Sequence, residues 1–209
     1  MGLAIEAIKE RGTEALSLRA LAREAGVSAT APYRHFPSKR CLLADIATQG
    51  FENLTHSMRA TLELNPVIEQ RFIAMGVAYV DFAVANPVHY QLMFGAVIAD
   101  FSEYARLNDA AQASYALLLK ELTVIIEDRK LDVTPLELGG AEWSGVHGIA
   151  SLITNGSNRP LDPQSAPDQS IKLLQEHTER SMQIMFAHLL APWGQTPGSE
   201  PFCSGVSIW

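Results

Sequence analysis

Side chains able to do chemistry gather in two stretches of this sequence, and neither has the make-up of a reaction centre. Between Ser28 and Lys39 stand hydroxyl, imidazole, guanidinium and ammonium donors on a short segment that begins with small residues. Such groups hold phosphates and touch base edges. Thr30 offers a hydroxyl and a methyl for a base edge or a thymine methyl, while Tyr33, His35 and Lys39 suit phosphates, which fix register without reading sequence. Lys39 also falls in the first turn after Pro37-Ser38, where free backbone N–H groups favour a phosphate, and Arg34 fits either partner. The second stretch holds Trp143 and His147, one helical turn apart, downstream of a set rich in Met and aromatics: Met75, Tyr79, Phe82, Tyr90, Met93, Phe94, Phe101 and Tyr104. A mostly apolar lining with a few polar anchors is how small-molecule sites are built. The same residues would also serve as plain core.

Catalysis finds little support. The chain has no Gly-x-Ser-x-Gly elbow, P-loop or dinucleotide glycine fingerprint. Its six histidines lack His-x-x-x-His spacing, no Cys/His cluster suggests zinc, and carboxylate pairs such as Glu127-Asp128 read as solvated surface. Neither a metal nor a cofactor is expected, and an enzyme is the weakest rival reading. Cys41 and Cys203 are too few and too far apart for a disulfide framework. No apolar run approaches the roughly 18 residues of a membrane span, and charges interleave the apolar residues of Met1 to Gly12, unlike a signal peptide. A cytoplasmic protein without a membrane partner is expected.

The formal net charge of −7 looks wrong for a chain that holds phosphate, until it is divided. Residues 1–50 carry seven Lys and Arg against five acids, a net of +2, and the rest carry nine against eighteen, a net of −9. Affinity for a duplex comes from counterions displaced near the contact surface, so local charge matters more than the sum.

Helix signals dominate the elements that must position these groups, and the alternation that strands require is missing. The expected fold is all-α with about nine helices, three small ones first. Leu18, Leu21, Ala22 and Ala25 form a stripe after the capping candidate Ser17, and Gly26 stops it with the positive φ of a tight turn. Val27 is expected as a buried wedge, and Ser28 as the cap of a second helix over Ala29–Phe36. Long helices follow from Pro37-Ser38 to Asn65 and from Pro66 to Asn86, then a short segment from Val88 to Phe94. Further helices carry Leu107 to Ile126, Pro135 to Gly156, and Ile171 to Leu189, with a polar loop over 156–168. The organisation expected is a helix-turn-helix DNA-binding domain over 1–48, a ligand-binding and dimerisation domain over 49–191, and a flexible tail over 192–209.

The segment resembles the tetracycline-repressor (TetR) family, on Tyr33-Arg-His-Phe36-Pro-Ser-Lys39 and on Gly12 ahead of Leu16-Ser17-Leu18-Arg19-Ala20-Leu21-Ala22. Ala31-Pro32-Tyr33-Arg34-His35-Phe36, Tyr90-Gln-Leu-Met93-Phe94-Gly95 and Trp143-Ser-Gly-Val-His147-Gly148 are similar to a subgroup whose C-terminal domain carries a Trp-x-x-x-His-Gly motif. Family members usually have further, often basic residues before this point, so the first helix reads as cut short. The resemblance implies DNA contact by Ser17, Arg19, Ser28, Ala29, Thr30, Tyr33, Arg34, His35 and Lys39. It implies a small-molecule effector held by Met75, Tyr79, Phe82, Met93, Phe94, Trp143 and His147.

It also implies a homodimer paired through the last two long helices, with a palindromic operator in double-stranded DNA and repression as the default sign. Candidates for that interface are the small-residue strip Gly140, Ser144 and Gly148, with Thr178, Met182, Met185 and Leu189. Each of these equally fits an internal helix crossing or core. The function expected is a ligand-responsive DNA-binding regulator. Its nearer rival is a helical interaction protein that has lost DNA recognition.

Overall fold

The computed structural model describes residues 1–157 and 159–187, and within these every regular element is helical. A bundle near the N-terminus comprises α1 (Gly2–Arg11), α2 (Leu18–Glu24) and a single 3-10 turn (Ala31–Arg34). The body is built from α3 (Lys39–Leu64), α4 (Ile68–Ala85), α5 (Pro87–Phe94), α6 (Ala105–Arg129), α7 (Pro135–Gly156), α8 (Ala166–Glu176) and α9 (Thr178–Met185), with one more 3-10 turn at Phe101–Glu103. Thr48 lies in the middle of α3, so one continuous helix joins the N-terminal bundle to the body where a domain boundary was expected.

Local signals explain most boundaries. Ser38 caps α3 by accepting the Cys41 N–H at 3.2 Å. Thr134 and Glu137 form a capping box at the head of α7, with Pro135 in the first helical position, where its missing N–H costs nothing. Pro87 plays the same part in α5. Pro66, expected to open α4, stands two residues before its first residue, and Val67 is the cap. The helix expected over Ile171–Leu189 is broken at His177, whose backbone (φ −134°, ψ 46°) leaves the helical region between α8 and α9. The polar loop ends earlier than expected, at Ser165, because Pro167 sits in the first turn of α8. Leu189 and the tail over 192–209 lie outside the described residues.

Among the described residues no single helix is long and apolar enough to cross a membrane. Helices α4 and α5 together reach that length and composition, but they meet at a bend of 105° and supply much of the core. Phe72, Val80, Leu92, Leu107 and Leu122 from four helices are at most 1 % exposed.

Candidate functional sites

At the N-terminal end α2 closes with a left-handed glycine. Gly26 has φ 69°, its N–H bonds the Arg23 carbonyl at 3.2 Å, and the Val27 N–H bonds the Ala22 carbonyl at 2.9 Å. These two bonds form a Schellman stop. Val27 is 50 % exposed, so it is no buried wedge; the stop works through the backbone and turns that side chain outward.

The second helix expected over Ala29–Phe36 is instead the 3-10 turn Ala31–Arg34. Pro32 explains the difference. It has no N–H to give the Ser28 carbonyl, and it disfavours the α conformation at Ala31, so the chain winds tighter with i to i+3 bonds. Tyr33 N–H bonds Thr30 O at 3.2 Å and His35 N–H bonds Pro32 O at 3.0 Å. Thr30, not Ser28, precedes the turn, and its side chain makes no cap bond; the Ser28 and Thr30 hydroxyls lie 3.3 Å apart.

Of the residues singled out for DNA, Ser17, Arg19, Ser28, Ala29, Thr30, Tyr33, Arg34 and His35 are all exposed. Lys39 differs. Its Nζ donates to the carbonyls of Thr13 at 3.1 Å and Glu14 at 3.2 Å, tying the α1–α2 loop to the head of α3. Two of its three donors are therefore engaged inside the protein. Arg40, exposed beside it, is a cation that sequence reasoning passed over.

The body encloses an apolar cavity of about 520 Å³ between α3, α4, α5, α6 and α7. Of the ligand candidates, Met75, Tyr79, Met93, Phe94 and Trp143 line it. Phe82 and His147 do not: Phe82 is core, 5 % exposed. His147 faces a separate cleft between α1, α5 and α7, with Ile8, Lys9, Tyr90 and Ser151. The walls contributed by α3 and α6 were missed, among them Phe51, Met58, Ser114 and Tyr115. Their stripes have ordinary core spacing, and nothing in the sequence separates a residue facing a void from one facing a neighbour. Glu142, beside Trp143, is also in the wall and only 4 % exposed.

Polar groups meet where the cavity and the cleft come closest. The Tyr90 hydroxyl lies 2.8 Å from His147 Nδ1 and the Tyr79 hydroxyl 3.0 Å from the same atom. Tyr90 also reaches Ser151 Oγ and the His147 carbonyl, each at 3.4 Å. Phe94 packs edge-on to His147 at 4.8 Å between centroids, and the Trp143 ring tilts over it at 5.4 Å. Burial pushes both phenols up; for Tyr79 the nearby Tyr90 adds to this, and a bond from Trp143 opposes it. Burial also pushes the His147 imidazole below its ordinary value. All three groups are neutral near pH 7.

The interface candidates separate by burial. Gly140 and Gly148 have room for a methyl group with no described atom within 4 Å, while close approaches inside the chain run through neighbouring glycines instead. A Cβ on Gly145 would stand 2.6 Å from Met185 Sδ. The strip of Gly140, Ser144 and Gly148 is thus not an internal crossing among the described residues. Ser144 is exposed, its hydroxyl turned back to the Gly140 carbonyl at 2.6 Å. Thr178 is half-buried and bonds the Leu174 carbonyl. Met182, expected at an interface, has 0 % exposure and packs on Gly76 of α4, so it has no surface to give a partner.

Comparison with known proteins covers both parts. Residues 2–46 match the model described as "Bacterial regulatory proteins, tetR family", and residues 72–178 match "Tetracyclin repressor-like, C-terminal domain". The HTH-type transcriptional activator FasR of Mycolicibacterium smegmatis is 32 % identical over 179 residues, covering 81 % of this chain and 76 % of that protein. Among solved structures, a protein of unknown function from Rhodococcus sp. RHA1 is 28 % identical, with a TM-score of 0.68 over 86 % of this chain and 91 % of that one. PfmR from Thermus thermophilus, titled a TetR family transcriptional regulator, has a TM-score of 0.61 at 20 % identity, covering 85 % and 94 %, a likeness of fold.

Proposed function

This chain belongs to the tetR family of bacterial transcription regulators, and from that premise we propose that it is an effector-controlled DNA-binding switch. The observation that carries the reading is a 520 Å³ apolar cavity walled partly by α3, the helix whose other end abuts the exposed Ser28–Lys39 segment. Residues Ser17, Arg19, Ser28, Ala29, Thr30, Tyr33, Arg34 and His35 make the DNA contacts. Lys39 holds the loop behind them.

The working form is a cytoplasmic homodimer, with Gly140, Ser144, Gly148 and Thr178 on or near the shared face. Two recognition segments then meet half-sites one helical turn, about 34–36 Å, apart in a palindromic operator. The effector is small and largely apolar, and it shifts the equilibrium towards a form that no longer matches that spacing. Membership in the family does not set the sign of control: FasR is named an activator. Control of transcription, not turnover, is the function.

A gel shift with duplex DNA flanking the protein's own gene is the test. Binding that survives competitor DNA and weakens steeply with salt is expected; no binding at low salt would sink the reading. A ligand can move the equilibrium only through unequal affinity for its two states. Calorimetry must therefore find the effector bound more weakly to the DNA complex than to free protein.

A further inference from the structure

An imidazole Nδ1 has room for one hydrogen bond, through its proton or its lone pair. Two phenols reach this one: Tyr90 at 2.8 Å and Tyr79 at 3.0 Å. One of them must bond elsewhere. Tyr90 holds the shorter contact and is steadied by Ser151 and the His147 carbonyl. Tyr79 has a different outlet, because its side chain forms part of the cavity wall.

Resting on the reading of that cavity as the effector site, we propose that Tyr79 is an exchangeable donor: its O–H turns from His147 to a hydrogen-bond-accepting oxygen on the effector, leaving Nδ1 to Tyr90. The ligand class follows. It is an uncharged, mainly apolar molecule carrying a carbonyl, ether or hydroxyl oxygen. The wall is almost wholly Phe, Met, Leu, Tyr and Trp, and its one charged side chain among the described residues is the acid Glu142. A carboxylate would shed its water there and meet a like charge. Arrival of the oxygen also shifts the hydrogen bond from an α4–α7 link to an α5–α7 link, and the cleft beside Tyr90 and His147 is lined by Ile8 and Lys9 of α1. Occupancy in the body is thereby read at the DNA end.

Three probes with one skeleton test this: diphenylmethane, benzophenone and diphenylacetate, titrated calorimetrically into the full chain. Wild-type protein is expected to bind benzophenone about threefold to tenfold tighter than diphenylmethane, the worth of one buried neutral hydrogen bond, and diphenylacetate weakest. Tyr79→Phe should keep the diphenylmethane affinity and lose the preference. Tyr90→Phe leaves Nδ1 to Tyr79 alone and should shrink the preference while sparing the wall. Irradiated benzophenone inserts into nearby C–H bonds, so peptide mass spectrometry should find adducts on wall residues such as Met75 or Met93.

Equal affinity for the two neutral probes, with adducts in the wall, overturns the exchange and leaves the cavity reading standing. An unchanged preference in either variant overturns it too. No binding of any probe and no adduct in the wall brings down the cavity reading, and the exchange with it.

Discussion

Between Ser28 and His35 only Ala31 and Pro32 are even half-buried, whereas α4 alone buries Phe72, Met75, Gly76, Tyr79, Val80, Phe82 and Ala83. The first region is held by backbone bonds, a glycine stop and one lysine reaching back to two carbonyls. The second is held by packing. Side chains at the DNA end are therefore open to change without loss of the fold, while those of the body answer for stability and for the shape of the cavity together.

That contrast can be broken most forcefully in the body. Phe72 is 1 % exposed, stacks edge-on to Phe186 at 4.6 Å and lines the cavity. Phe72→Ala should cost about 3–5 kcal/mol in urea unfolding. A cost under about 1 kcal/mol would mean that the core is not packed as described. Next comes the Arg71–Glu121 pair between α4 and α6, at 3.4 Å, with the glutamate side chain 8 % and the arginine 26 % exposed. Glu121→Ala strands a guanidinium that keeps some water, so about 2–3 kcal/mol is expected, the low end for a buried pair.

Lys39→Met sits on the border between the two regions. It should cost about 1 kcal/mol or less of stability. It should loosen the α1–α2 loop, seen as faster amide exchange near Thr13 and Glu14. An unaltered loop would show that the two carbonyl bonds are idle. At the DNA end Thr30→Ala and Arg34→Ala should stay within about 0.5 kcal/mol of wild type in unfolding, while operator affinity falls several-fold in gel shifts. A destabilised Thr30→Ala would blur the contrast.

The smallest effect is a pH slope. The folded His147 imidazole has its pKa lowered by burial. As pH falls below the ordinary imidazole value of 6.5, the unfolded chain takes up a proton that the folded ring declines. Stability therefore declines with falling pH until the folded value is reached. His147→Gln should flatten that part of the curve, with the similarly shifted His89 supplying the remainder. An identical slope in the variant would place the titration elsewhere.

Much of this was legible in the sequence because it is written in local rules. Ser38, Thr134 with Glu137, Pro87 and Gly26 mark their boundaries through spacing and backbone chemistry alone. Residues 29–36 mislead because the small-residue start suggests α-helix, while Pro32 denies it the bond that would set that winding. The break at His177 has no proline or glycine to announce it. Within the site, the Trp-x-x-x-His spacing points to the right turn of α7, and the structure divides its labour: Trp143 faces the cavity and His147 faces the cleft beyond it. Tyr90 gains its role only through tertiary contact, 57 residues from its partner.

Helix α3 carries a mechanical consequence. Its 26 residues span about 39 Å at 1.5 Å per residue, with Leu54 and Met58 in the cavity wall and Lys39 at the far tip, against the α1–α2 loop. A rigid rod held near one end is a lever. A tilt of roughly 5° about the cavity moves a tip some 25 Å away by about 2 Å. A side chain displaced by one ångström at Met58 is thus magnified where the chain meets the duplex, and in a dimer the two tips add their travel.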